Sequence, residues 1–328
     1  MSLITDYDSL LFDLDGTVYR GGDAIPGAVE AITSSGLPAL YVTNNASRAP
    51  EVVADQLRGI GLSGVTPTDV MTSAQAAVTL AAAEIDPGSR VYILGTRAFR
   101  DLATAAGFIV VDSADDEPVA VLQGHNPETG WRQLSEAALA IQRGARYFVS
   151  NLDTTLPMER GLLVGNGSMV AAVVSATGVT PKSAGKPGPA MFHQAAKLLG
   201  ARKPLAVGDR LDTDIAGGNS AGMDTLQVLT GVSGHHDLVY AVPEQRPTFI
   251  ADSLSSLNDS AAVLRPGAQG GFTARLHGDT LIIEGGRPDS TPVQALRTAV
   301  EISWSPGSVV SGVRAVSDVA KQVLDQWW

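Results

Sequence analysis

The chain has 328 residues and a formal net charge of −11, which makes a polyphosphate backbone a poor partner and argues against a nucleic-acid-binding role. It has no cysteine, so disulfides, thiolate catalysis and cysteine-ligated metal are out, as befits a reducing cytoplasm. The 44% hydrophobic content can fill the cores of two or three domains, yet no window approaches the roughly 18 apolar residues of a membrane span, and the start MSLITDYDSL lacks the basic and apolar regions of a signal peptide.

The first element is a short apolar run, Leu10-Leu11-Phe12, which reads as a fully buried strand. It ends in Asp13-Leu14-Asp15-Gly16-Thr17. The carboxyl ends of strands are where open α/β sheets bind ligands. Two carboxylates this close repel each other unless a cation or a raised pKa relieves them. Alone, such a pair is as well read as an acidic turn. A helical pattern opens at Pro26 and stops at Gly36. The next buried run, Ala39–Val42, again ends in small polar groups, Thr43-Asn44-Asn45. A hydroxyl and backbone N–H groups at that point suit a phosphoryl oxygen, although an ordinary capped turn has the same composition.

Helices are predicted over 50–60 and 73–84. A new βα alternation then runs through strands near 91–94, 109–111, 119–122 and 147–149, with helices over 97–106 and 131–142, enough for an independent α/β layer. The chain returns through Gly185-Lys186-Pro187 to a helix over 190–199, where a lysine beside a helix start favours an anion. The strand Leu205–Val207 ends in Gly208-Asp209-Arg210-Leu211-Asp212-Thr213-Asp214, which alone is equally an acidic helix start. Strands at 226–229 and 249–250 complete the set. After a Gly-rich linker at 265–271, a hairpin is predicted from 272–276 and 280–284, then helices over 291–302 and 309–324, and the tail Trp327-Trp328.

Phe12-Asp13-Leu14-Asp15-Gly16-Thr17 resembles the first signature of the haloacid dehalogenase superfamily of phosphatases. Thr43-Asn44-Asn45 is similar to its second motif, Gly185-Lys186-Pro187 to its third, and the segment from Gly208 to Ile215 to the fourth motif of the NagD-like branch. The insertion between the second and third motifs resembles a C2-type cap. The segments Asn151-Leu152-Asp153-Thr154 and Gly165–Ser168 look like parts of that cap, and the overall pattern, with its appended C-terminus, resembles the glycerol 3-phosphate phosphatases of actinobacteria. The resemblance implies an α/β fold with a doubly wound parallel-sheet core over 1–83 and 182–260. An α/β cap would occupy 84–181, and a small α+β domain 262–328. That last part looks like a fragment of the acetyltransferase fold, but it has no coenzyme A loop and is expected to be non-catalytic.

The resemblance also implies a chemistry. Asp13 would be the nucleophile and Asp15 the general acid and base. Mg²⁺ would be held by Asp13, Asp209 and the backbone carbonyl of Asp15, with Asp214 behind them. Thr43, Asn44 and Lys186 would hold the phosphate. Asn151, Asp153 or His125 would reach the leaving group from the cap, though turn or capping roles suit Asn151 and Asp153 equally. The expected substrate is a small phosphorylated metabolite, glycerol 3-phosphate first, with phosphoglycolate, pyridoxal phosphate and nucleotides as alternatives. A non-catalytic sugar-phosphate sensor is the rival of another class, and a homodimer in the cytoplasm is compatible with everything above.

Overall fold

The computed structural model describes residues 2–158 and 160–327; of Pro157 and Met158 it gives the backbone alone. The chain divides into two compact units. One comprises Met1–Leu40, Ile60–Leu62 and Ala196–Trp328; the other comprises Tyr41–Gly59 and Ser63–Ala195.

In the first unit, burial of every side chain from Ser9 to Phe12 leaves no amphipathic face, and the run forms a strand in the interior of a parallel sheet. Ser9–Phe12 pairs with Pro204–Gly208, Leu10 opposite Leu205. Pro204–Gly208 pairs in turn with Asp224–Val228, and that strand with Phe249–Ala251, all in parallel. Helix Ala28–Ser35 runs between Gly27 and Gly36, both in the left-handed region, as the sequence predicts for its stop.

The C-terminal part of this unit builds a three-stranded sheet. Phe272–His277 and Thr280–Gly285 form the expected antiparallel hairpin, with Leu276 opposite Leu281. The predicted helix over 309–324 is corrected by the structure. Gly312–Ala315 is a strand lying parallel to Thr280–Gly285, and only Asp318–Leu324 is helical. The hairpin edge offers this segment backbone partners, and Ser311-Gly312 is a poor helix interior. Helix Pro292–Ser303 covers the sheet. Phe272, Leu281, Ile283, Leu296 and Val300 share one apolar cluster with Leu211, Ile215, Leu238 and Ile250. The C-terminal segment therefore shares its core with the rest of the unit, as suits a segment of marginal size. Trp327 is buried in the same cluster; Trp328 lies outside the described residues.

In the second unit, Ala39–Thr43 contributes its last three residues, paired in parallel with Val70–Thr72. A second parallel sheet has the order Lys182–Ser183, Arg146–Val149, Ala120–Gln123, Arg90–Leu94, Ile109–Val111. Its central strands are apolar and buried, and helix Trp131–Gln142 packs with helix Asn166–Thr177 through Ala137, Ala140, Ile141, Val170 and Val173. The sequence reading missed that second helix and the antiparallel ribbon of Thr155–Met158 with Gly161–Val164.

Candidate active site

The sheet of the first unit delivers two acidic loops to neighbouring strand ends. Asp13 follows Phe12, and Asp209 follows Gly208, on strands that pair directly. The Asp13 N–H donates to the Val207 carbonyl at 2.8 Å, which extends the ladder to the point where the carboxylates begin. Asp13, Asp209 and Asp214 each present a carboxylate oxygen within 4.8 Å of the others. Asp209 and Asp214 are buried and Asp13 is half-buried. Three carboxylates brought this close repel one another in a dry place, and a cation among them would relieve that cost. An all-oxygen set of this kind suits Mg²⁺ better than it suits a softer ion.

The chain around each acid explains its position. Gly16 adopts φ +88°, and a Cβ there would lie 2.6 Å from Asp209 Oδ2, so only glycine lets the two loops approach. The Thr17 hydroxyl donates to Asp209 Oδ1 at 3.4 Å. Asp214 Oδ2 accepts from the Arg210 N–H at 3.0 Å. Gly208 is equally constrained, for a Cβ there would meet Asp214 Cβ at 2.3 Å. Asp15 is exposed, and its segment turns back on itself through the Gly16 N–H to the Tyr19 carbonyl at 2.8 Å. Asp212, in the same motif, is exposed and takes two bonds from the Arg210 guanidinium, at 3.1 and 2.8 Å.

A third loop of this unit escaped the sequence reading. The Val232 N–H donates to Asp209 Oδ2 at 2.6 Å, the Ser233 N–H to the Asp209 carbonyl at 3.1 Å, and the Thr230 hydroxyl to the Gly16 carbonyl at 2.6 Å. A Cβ on Gly231 would stand 1.9 Å from Asp209 Oδ2. The signal was available: Thr230-Gly231-Val232-Ser233 follows a buried strand at the same sheet edge, as the other loops do.

The second unit gathers Lys186, Asn151 and Asp153 around Asn44. Its Nδ2 donates to both carboxylate oxygens of Asp153, at 3.2 and 3.1 Å, and to the Lys186 carbonyl at 3.1 Å. Its Oδ1 accepts from the Lys186 N–H at 2.9 Å, and its carbonyl accepts from Asn151 Nδ2 at 2.7 Å. Lys186 is 2% exposed, and its ammonium donates to the Val42 carbonyl at 3.0 Å. Thr43 is buried, and its Oγ1 accepts from the Asn45 N–H at 3.1 Å. Asn151, Asp153, Asn44 and Lys186 are thus one hydrogen-bonded group. His125 stands on the loop after Ala120–Gln123; its Nδ1 is buried without a partner among the described residues, and burial lowers its pKa below the ordinary value.

The haloacid dehalogenase-like hydrolase family matches residues 10–109 and a related hydrolase family residues 183–257. The D-glycerol 3-phosphate phosphatase of Mycobacterium tuberculosis is 46% identical over 282 residues, 86% of this chain and 80% of that protein. This chain belongs to the haloacid dehalogenase-like hydrolases. An acid sugar phosphatase of Staphylococcus aureus is 38% identical over 79% of this chain and 98% of its own length. Among solved structures, a Mycobacterium tuberculosis glycerol phosphate phosphatase in complex with magnesium matches with TM-score 0.94 at 42% identity, covering 100% of this chain and 98% of that one. A thermostable NPPase from Geobacillus stearothermophilus matches with TM-score 0.68 at 35% identity, over 78% of this chain and 98% of its own. The parallel-sheet fold class read from the motifs agrees with these neighbours. Among the described residues no helix is long and apolar enough to cross a membrane.

Proposed function

We propose that the protein is a Mg²⁺-dependent phosphatase that hydrolyses a small phosphomonoester, glycerol 3-phosphate foremost, through an aspartyl-phosphate on Asp13. The observation that carries this reading is the triad of carboxylates, Asp13, Asp209 and Asp214, within 4.8 Å of one another at adjoining strand ends. Glycerol 3-phosphate rests on the likeness to the mycobacterial enzyme. Asp13 and Asp209, with the Asp15 carbonyl, would hold the ion, and Asp214 would support them. When bound, Mg²⁺ supplies positive charge to phosphate oxygens and to the crowded carboxylates.

The Asp13 carboxylate attacks phosphorus in line, a P–O bond to Asp13 forms, and the bond to the ester oxygen breaks. Asp15 gives its proton to the departing alkoxide. It then takes a proton from the water that attacks the aspartyl-phosphate, which returns the Asp13 carboxylate and frees phosphate. The proton taken from that water restores Asp15 for the next turnover. Thr43, Asn44 and Lys186 are assigned to phosphate binding on their motifs, and burial of the lysine in an ordered loop would make its charge effective. Asn151 and Asp153 are assigned to the cap side of the substrate. The same reading gives residues 1–83 and 182–260 to the core, 84–181 to the cap, and 262–328 to an appended domain without chemistry of its own.

The test is phosphate release from a panel of phosphomonoesters compared by kcat/KM, with and without EDTA. Glycerol 3-phosphate should lead, and EDTA should abolish turnover; equal rates across the panel would remove the substrate assignment. Asp13→Asn should fold normally and lose at least about 10³ in kcat, since a nucleophile is worth more than one charge-stabilising donor. Normal turnover by that variant would exclude Asp13 as the nucleophile.

A further inference from the structure

Helix His235–Val239 is gripped by the C-terminal segment at one face and leads directly out of the loop that holds Asp209. At its start, the His235 ring stacks on Trp327 with centroids 5.6 Å apart and planes 17° from parallel. His235 Nε2 and Trp327 Nε1 are both buried without a hydrogen-bond partner among the described residues, so the two rings meet through the stack rather than through their ring nitrogens. Further along, the Trp304 indole N–H donates to the Leu238 carbonyl at 2.8 Å, and Leu238 and Val239 enter the shared apolar cluster. Just before the helix, Val232 and Ser233 give their N–H groups to Asp209, at 2.6 Å to Oδ2 and 3.1 Å to the carbonyl. The Ser233 hydroxyl oxygen accepts from the Leu211 N–H at 3.1 Å, and Gln227 Nε2 donates to the carbonyls of Asp209 and Ser233 at 2.7 and 3.2 Å.

We propose that Trp327 and Trp304 are positioning residues for the cation site: the C-terminal segment fixes helix His235–Val239, the helix fixes the Thr230–Ser233 loop, and the loop orients the carboxylate of Asp209. This rests on the reading of Asp209 as a Mg²⁺ ligand. A carboxylate with one oxygen tied to a backbone N–H presents the other in a defined direction, and such outer partners are worth about 10–100-fold in metal affinity. A backbone donor can be no steadier than the segment carrying it. Here that segment borrows its steadiness from two tryptophans that come 71 and 94 residues after Ser233 in the chain. The C-terminal segment thereby acts on the reaction without touching substrate.

The experiment compares the full-length wild type with Trp327→Ala, Trp327→Phe and Trp304→Phe. Mg²⁺ binding is measured by titration calorimetry, and p-nitrophenyl phosphate turnover gives the half-saturating Mg²⁺ and the substrate KM at saturating Mg²⁺. Trp327→Ala should weaken Mg²⁺ binding about tenfold while the KM for the ester stays within about twofold, and Trp327→Phe should recover most of the loss. Unchanged Mg²⁺ binding in a folded Trp327→Ala, with only a lower melting temperature, would mean a merely structural role and overturn the proposal. If that variant does not fold, Trp304→Phe decides: it keeps a ring and loses the N–H to Leu238, so weakened Mg²⁺ binding supports the proposal and wild-type binding overturns it. A wild type that neither binds Mg²⁺ nor turns over with it would instead defeat the functional reading itself, a result separable from an active wild type with indifferent variants.

Discussion

At the scale of single residues, the site depends on what is missing from side chains as much as on what they carry. Gly231 and Gly16 both leave room for Asp209, and a Cβ on Gly231 would fall inside the carboxylate itself. Gly231→Ala must displace either the loop or the acid. It should reduce Mg²⁺-dependent turnover by about 10²-fold, the scale of losing one preorganised partner. Steady-state assay over a Mg²⁺ series checks this, and wild-type behaviour would show that the loop moves aside at no cost. Titration offers a second handle. Burial holds the His235 pKa below the ordinary 6.5, because charging a ring in an apolar place is unfavourable. A depressed folded pKa means that the contribution of His235 to stability is whole above pH 6.5 and is lost as pH falls through the lower folded value. The melting temperature should therefore drop as pH goes below that point. His235→Phe, which keeps a ring for Trp327 to stack on, should drop less over the same range.

Among elements, the loop after Ala39–Thr43 does the most joining. Asn44 alone bonds to Asp153, to both backbone groups of Lys186 and to Asn151. Asn44→Ala should lower the stability of the full chain by about 1–3 kcal/mol, since it leaves several partly buried polar groups unmatched. Urea unfolding with unchanged m-value measures it, and a shift under a few tenths would show that water replaces the side chain. The elements also separate what a sequence displays from what it conceals. Strand ends carrying Asp13, Thr43 and Asp209 were legible because a fully buried parallel strand is a solid apolar run and its loop is abruptly polar. Strand Gly312–Ala315 was not, because its partner lies 32 residues earlier and its register is set by hydrogen bonds to Thr280–Gly285 rather than by a pattern of its own. The ribbon of Thr155–Met158 with Gly161–Val164 hid for a related reason. Leu162 and Val164 are 70% and 61% exposed, so the alternation of burial that betrays a strand is absent.

For the molecule as a whole, the least legible feature was the use of the C-terminal segment. Its composition announces a small domain, and nothing in it tells that Leu281, Ile283 and Leu296 would share a core with Leu211 and Ile215, which flank Asp214 in sequence. Arg297 seals this union. It is 5% exposed, and its guanidinium donates twice to the Ile250 carbonyl, at 2.8 and 2.5 Å. Burial lowers the Arg297 pKa, and the charges of Asp252 and Asp259 oppose that shift. Arg297→Met should cost about 1–3 kcal/mol by stranding that buried carbonyl, as chemical denaturation will read. Removal of residues 262–328 should go further: Leu238, Val239 and Ile250 would face water, and the product should aggregate rather than persist as a smaller active enzyme.

The pairing of Ser9–Phe12 with Pro204–Gly208 has a bearing on biosynthesis. Asp13 is translated 196 residues before Asp209 and 201 residues before Asp214. Any product that stops short of residue 209, whether by premature termination or by proteolysis, lacks the means to assemble the centre, and nascent chains stay catalytically silent while the earlier segments fold.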